Sequence, residues 1–177
     1  MKKIFLFLVI YVALHTSAVK AQEFNENRRI SVGFGMEGGV VTGDFKPAHK
    51  IGAGLGGRIS YELGSGFATL SSGTILLFPR KNGISPDAHV GVWVPFKAGY
   101  KFIIGEDFFV MGEAGYSILR YYYQDTYGSE HTTQGGFVWA PTAGLHFGIV
   151  EIGLRYQSAS IKGARLSMGL VRFGVNF

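Results

Sequence analysis

From about residue 30 onward, apolar residues recur at every second position along most of the chain. In ISVGFGMEGGVV, Ile30, Val32, Phe34, Met36 and Val40 fall on one side of an extended backbone and Ser31, Gly33, Gly35, Glu37 and Gly39 on the other, because successive strand side chains point to opposite faces. IGAGLGGRISYEL sets Ile51, Ala53, Leu55, Ile59, Tyr61 and Leu63 against Gly52, Gly54, Gly56, Arg58, Ser60 and Glu62. HVGVWVPFKAGYKF sets Val90, Val92, Val94, Phe96, Ala98, Tyr100 and Phe102 against His89, Gly91, Trp93, Pro95, Lys97, Gly99 and Lys101. Further runs lie at 108–119, 137–147 and 150–158, and GLVRFGVNF ends the chain with Val171, Phe173, Val175 and Phe177 on one face. The run at 67–78 alternates less regularly, and its pattern does not settle which face is which.

Eight strands are therefore expected, at about 31–41, 51–63, 67–78, 89–103, 108–119, 136–147, 150–158 and 165–177. Their separators alternate in length. GSG (64–66), GED (105–107) and the join near Gly148 read as tight turns, whereas TGDFKPAHK, PRKNGISPDA and RYYYQDTYGSEHTTQG are long and polar, and the connection at 160–163 is shorter.

The amino terminus reads differently. MKKIFLFLVIYVALHTSAVKAQ has two lysines, an apolar run from 4 to 14 and small residues before Gln22, the pattern of a secretory leader spanning 1–21. The run is too short for a bilayer span, which needs roughly 20 helical residues. Loss of Lys2, Lys3 and Lys20 with the leader lowers the formal net charge from +5 to +2, which removes most of the basic excess that would suggest a nucleic-acid partner.

Composition narrows the class. There is no cysteine, so neither disulfides nor thiolate metal sites hold the fold together. Glycine is abundant at 27 residues, and charged residues make up only 16%, below the usual quarter. No later segment offers the apolar length of a spanning helix, and a bilayer admits only helices and closed barrels. A soluble lipocalin-like barrel would need a wet outer coat. The polar faces here, mainly Gly and Ser with one or two charges per strand, are too sparsely charged to provide one. They suit the lumen of a small barrel, whose interior is only wide enough for side chains. The expected fold is all-β: an eight-stranded antiparallel up-and-down transmembrane β-barrel occupying 22–177, with short turns on one rim and longer loops on the other.

On these residues the chain resembles the small outer-membrane β-barrels typified by OmpX and the barrel domain of OmpA, and within them the PorT-like barrels. VPFKAGYKF is similar to that family's strand of proline, apolar residues and lysine before a periplasmic turn, and VEIGLRY to its strand ending in Arg-Tyr. The resemblance implies a Gram-negative outer-membrane location, with lipid and lipopolysaccharide as surroundings, a monomeric state and a surface ligand or a secretion partner. It also implies that Val171, Phe173, Val175 and Phe177 form the assembly signal read by the barrel insertion machinery. Leu166, Met168 and Leu170 depart from it, being apolar on the expected inner face, and suggest a bulge or an extracellular extension of the last strand. A second departure from the OmpA type is that no periplasmic domain is expected, and with it no peptidoglycan anchoring.

Candidate chemistry lies in two places. The inner faces carry Arg58, Lys97, Lys101, Arg155 and Arg172 against Glu37, Glu62, Glu113 and Glu151. Isolated ions there would cost several kcal/mol each, so a paired network that plugs the lumen is expected, with Glu37, Arg58, Lys97, Glu113, Arg155 and Arg172 near mid-height. The third outer loop presents Tyr121, Tyr122, Tyr123 and Tyr127, amphipathic residues common in recognition surfaces and also in interfacial aromatic belts. Lys46, Lys50, Arg80, Lys81, Lys162 and Arg165 at the outer rim could pair with lipopolysaccharide phosphates. His49, His89, His131 and His146 form no evident triad. Neither a phosphate loop nor a metal cluster is visible, and no cofactor or catalytic activity is expected. The working expectation is a structural or adhesive barrel, with membership of a secretion machine as the first alternative and a lipid A-modifying enzyme or a narrow pore behind it.

Overall fold

A computed structural model of the chain describes residues 29–80, 90–125 and 128–177, with the side chains of 122–132 outside the description. The expected leader at 1–21, Lys81, His89 and Tyr127 lie outside the described residues. Eight strands follow one another in sequence: β1 (Ile30–Gly43), β2 (His49–Leu63), β3 (Gly66–Pro79), β4 (Gly91–Ile104), β5 (Phe108–Asp125), β6 (Gly128–Phe147), β7 (Val150–Ile161) and β8 (Ala164–Asn176). Each pairs antiparallel with its neighbours, and β1 pairs with β8, so the sheet closes into a barrel. Closure leaves no free edge at mid-height, which is what a hydrocarbon environment demands of a backbone.

The stagger of the barrel follows from its register. One row of directly paired residues runs Gly33, Arg58, Ser71, Lys97, Gly115, Val138, Ala159 and Leu166, and returns to β1 at Gly43. The path climbs ten residues along β1 in one circuit, from 33 to 43, and such a stagger requires strands tilted by roughly 35–45°.

Alternation then divides the side chains. The outer flank carries Val32, Phe34, Met36, Leu55, Ile59, Leu70, Phe96, Tyr116, Phe137, Leu154 and Phe173, all exposed, with Leu154 at 68%. Soluble monomers do not leave apolar patches of this extent facing water. Aromatic side chains Tyr61, Tyr100, Phe102, Phe108, Phe147 and Phe177 gather toward the rim of short turns, and the Tyr100 hydroxyl donates to the Leu63 carbonyl at 2.6 Å. Such girdles mark a bilayer interface. Gly64, Gly105 and Gly148 supply positive φ at those turns. On the opposite rim, Lys162 (φ 47°) and Gly163 (φ 84°) form a two-residue hairpin with left-handed conformation at both positions.

The structure assigns the faces of β3. Thr69, Ser71, Ile75 and Leu77 point inward and Leu70, Ser72, Thr74, Leu76 and Phe78 outward. It also corrects the expectation of a bulge in β8. The pairing of β8 with both neighbours runs without a register shift, and Leu166, Met168 and Leu170 point into the lumen. Their partners are Val41, Ile75, Leu77, Trp93, Leu119, Val138, Ala159 and Ile161, all buried in one apolar cluster. The half of the lumen nearer the outer rim is thus a hydrophobic plug, and the trio belongs to it. The third loop is corrected too: β5 and β6 extend six and eight residues beyond the expected ends and pair up to Asp125 and Gly128, so most of it is a β-hairpin.

Candidate functional site

Below the apolar plug the lumen is charged. Arg155, on β7, is the hub of an upper group: NH1 donates to Glu37 Oε2 at 3.0 Å, NH2 to Glu113 Oε2 at 2.8 Å and Nε to Thr142 Oγ1 at 3.0 Å. Glu113 also accepts from Ser71 Oγ at 2.6 Å and stands 3.7 Å from Lys97 Nζ, which donates to Gln157 Oε1 at 2.6 Å. Arg172 NH1 lies 3.7 Å from Glu37 Oε2. A lower group, toward the short turns, centres on Glu151, which is paired with both Arg58 and Lys101. Arg58 additionally donates from NH2 to Asn176 Oδ1 at 3.1 Å and from NH1 to Met111 Sδ at 3.5 Å, and the Lys101 ammonium sits 4.5 Å from the centroid of the Phe109 ring.

The barrel geometry explains these meetings. Arg58, Ser71 and Lys97 are direct cross-strand neighbours on β2, β3 and β4. Arg155 reaches Glu37 across the lumen from a strand that does not pair with β1. Arg58 belongs with the lower group, below the mid-height expected of it, because its side chain runs toward Glu151 and Asn176. Glu62 is outside the network. It lies on the inward parity of β2, yet it is the next-to-last residue of that strand, beyond the lumen, and is exposed. Sequence reasoning missed Ser71, Thr142, Gln157 and Asn176, uncharged residues whose role depends on which strands face each other. For Ser71 the missing information was the face of β3.

Tyr121 also requires correction. It was expected in a loop or headgroup belt. The structure places it in β5, half-buried, packed on the apolar plug with its ring centroid 5.8 Å from that of buried His49. Tyr122 and Tyr123 lie in the backbone of the β5–β6 hairpin, and their side chains are outside the described residues. His146 is half-buried near the short-turn rim. Val171, Phe173 and Phe177 are exposed on the outer flank, and Phe177 exchanges backbone hydrogen bonds with Val32 at 2.9 and 3.0 Å.

The outer rim forms a second surface. Lys46, Lys50, Arg80, Arg120, Lys162 and Arg165 are exposed there, and the backbone N–H of Arg165 donates to the Asp44 carboxylate at 2.7 Å. At the other rim the exposed charges include Glu62, Glu106 and Asp107. The β5–β6 hairpin rises above its neighbours. Among the described residues, pairing of β4 with β5 stops at Tyr121 and that of β7 with β6 stops at Gly136, so both hairpin edges above these points carry no strand partner.

A closed sheet, an apolar flank and a filled lumen define the class: this is a small eight-stranded transmembrane β-barrel of the Gram-negative outer-membrane type. Solved structures of that type are similar to it. Ail, the attachment invasion locus protein of Yersinia pestis, aligns with a TM-score of 0.62 at 16% identity over 84% of this chain and 97% of its own. The N-terminal β-barrel domain of Pseudomonas aeruginosa OprF aligns with a TM-score of 0.60 at 15% identity over 83% and 97%, and neisserial surface protein A with 0.56 at 12% over 84% and 97%. No protein-family model matches the chain, and no curated protein matches it by sequence.

Proposed function

We propose that the protein is a non-catalytic surface-interaction barrel of the outer membrane, whose working surface is its outer rim. The observation that carries this reading is the concentration of exposed cations, Lys46, Lys50, Arg80, Arg120, Lys162 and Arg165, on one rim above a lumen filled by an apolar plug and a charge network. A filled lumen argues against a transport role. A cationic rim recognises phosphate or sulfate groups by charge-assisted hydrogen bonds, whether on lipopolysaccharide or on a sulfated polysaccharide of another cell. Similar Ail has been solved in complex with the heparin analogue sucrose octasulfate. The projecting hairpin adds strand edges that have no partner among the described residues, and a strand edge can accept an extended peptide.

In this reading the segment 1–21 is removed on export, and the aromatic face of β8 ending at Phe177 addresses the chain to the insertion machinery.

The test is retention of the folded protein, in lipid nanodiscs, on immobilised heparin over a salt gradient. Retention should fall as salt rises. Joint reversal of Lys46, Lys50, Arg80, Lys162 and Arg165 to glutamate should abolish it. Equal retention of both proteins would refute the rim as the binding surface. Stoichiometric recovery of other envelope proteins with the barrel from gentle detergent would favour a PorT-like secretion component instead.

A further inference from the structure

The charges in the lumen do not cancel. Among the described residues five buried cations, Arg58, Lys97, Lys101, Arg155 and Arg172, meet three buried carboxylates, Glu37, Glu113 and Glu151. Each carboxylate is already shared by two cations: Glu37 by Arg155 and Arg172, Glu113 by Arg155 and Lys97, Glu151 by Arg58 and Lys101. Two positive charges are left over, and an uncompensated buried ion is far more costly than a paired one.

The orphaned atoms show where the excess falls. Arg172, with its side chain 7% exposed, has its carboxylate neighbour at 3.7 Å, too long for a hydrogen bond, and its Nε has no acceptor. Arg58 Nε also lacks an acceptor, and so does the Gln157 amide nitrogen. All three can only donate. Water could accept those hydrogens, but it would leave the charge in place.

Two positions without side chains adjoin these donors. Arg172, Gly174 and Asn176 follow one another along the inner face of β8, and Arg58 is bonded to Asn176. Gly174 is paired directly with Gly35 of β1, so the wall between Arg172 and Asn176 carries a pair of facing residues without side chains. A Cβ on Gly35 would stand 3.1 Å from Arg172 NH2, and one on Gly174 would stand 3.9 Å from Arg172 Nε. The cleared strip is where the guanidinium lies. An eight-stranded lumen is otherwise filled by side chains, which limits an occupant to a monatomic or similarly compact ion.

We propose that the lumen holds one small inorganic anion of chloride size beside the Arg172 guanidinium, which itself covers the Gly35–Gly174 pair, with Arg172 and Arg58 as its donors. It supplies the acceptor that these donors lack and offsets half of the excess charge.

Diffraction from crystals of the folded protein grown in sodium bromide, measured at the bromine edge, is the direct test. The expected result is one anomalous peak inside the barrel in contact with Arg172; a lumen without an anomalous peak overturns the proposal. In solution, the urea midpoint of the detergent-folded protein should be higher in chloride than in gluconate at equal ionic strength. That difference should disappear in Arg172→Gln and persist in the rim variant Arg165→Gln. Should Arg172→Gln fail to fold, the bromide experiment on the unaltered protein decides alone. An equal anion effect in Arg172→Gln and the unaltered chain would place the effect outside the lumen and refute the site.

Discussion

Individual side chains in this barrel differ sharply in what they contribute, and the difference follows from how many partners each one serves. Glu151 serves two cations and is buried with both. Its replacement by glutamine leaves Arg58 and Lys101 without their counter-charge, and breaking a buried pair in this way costs about 3–5 kcal/mol. The expected result for Glu151→Gln is a marked drop in the urea midpoint of the detergent-folded protein; an unchanged midpoint would mean that the lower group is not ionised as drawn. Glu62, one position before the end of β2 and exposed, should tolerate the same change with no measurable shift. At the outer rim, Lys162 holds a left-handed backbone conformation that L-residues with a full side chain adopt at a cost of about 1–2 kcal/mol. Lys162→Gly should recover much of this, so its midpoint should rise.

Strands were more legible than the contacts between them. Period-two alternation located all eight, since a barrel wall with lipid outside and a packed lumen inside imposes opposite demands on successive residues. It failed for β3, where Ser72 and Thr74 face outward while Ile75 and Leu77 face inward, so polarity and direction part company. It failed again at Leu166, Met168 and Leu170, because a lumen need not be polar along its whole height: near the outer rim these side chains meet Trp93, Leu77 and Leu119. Charged positions on the inner faces could be named, but the division into an Arg155 group and a Glu151 group depends on the ten-residue stagger, which no local pattern encodes. The plug carries its own prediction. Trp93 is fully buried in it, and Trp93→Ala should lower stability by about 3–5 kcal/mol, read as loss of the folded band in unheated gel electrophoresis at lower urea. An unaltered folded band over the whole urea range would show that the plug does not stabilise the barrel.

As a whole the molecule is a filled cylinder, apolar for one part of its bore and ionic for the other. The predicted behaviour in a planar lipid bilayer is the absence of steady unitary conductance. Regular openings in the unaltered protein would show that the two layers do not block ions. Breaking the lower ionic group alone, as in Glu151→Gln, should not produce a pore while the apolar layer stands above it. Two unlike barriers in series are harder to breach by one substitution than either alone.

The seam between the first and last strands has a temporal meaning. Val32 is latched to Phe177, and β1 has no other partner on that side. Until the final strand arrives, the earliest one presents an open hydrogen-bonding edge, and the most distant contacts in the chain form last. Biogenesis should therefore be all-or-nothing: a nascent polypeptide lacking its last dozen residues has no way to zip shut, and it would require an escort across the periplasm to keep that edge from joining a neighbour's.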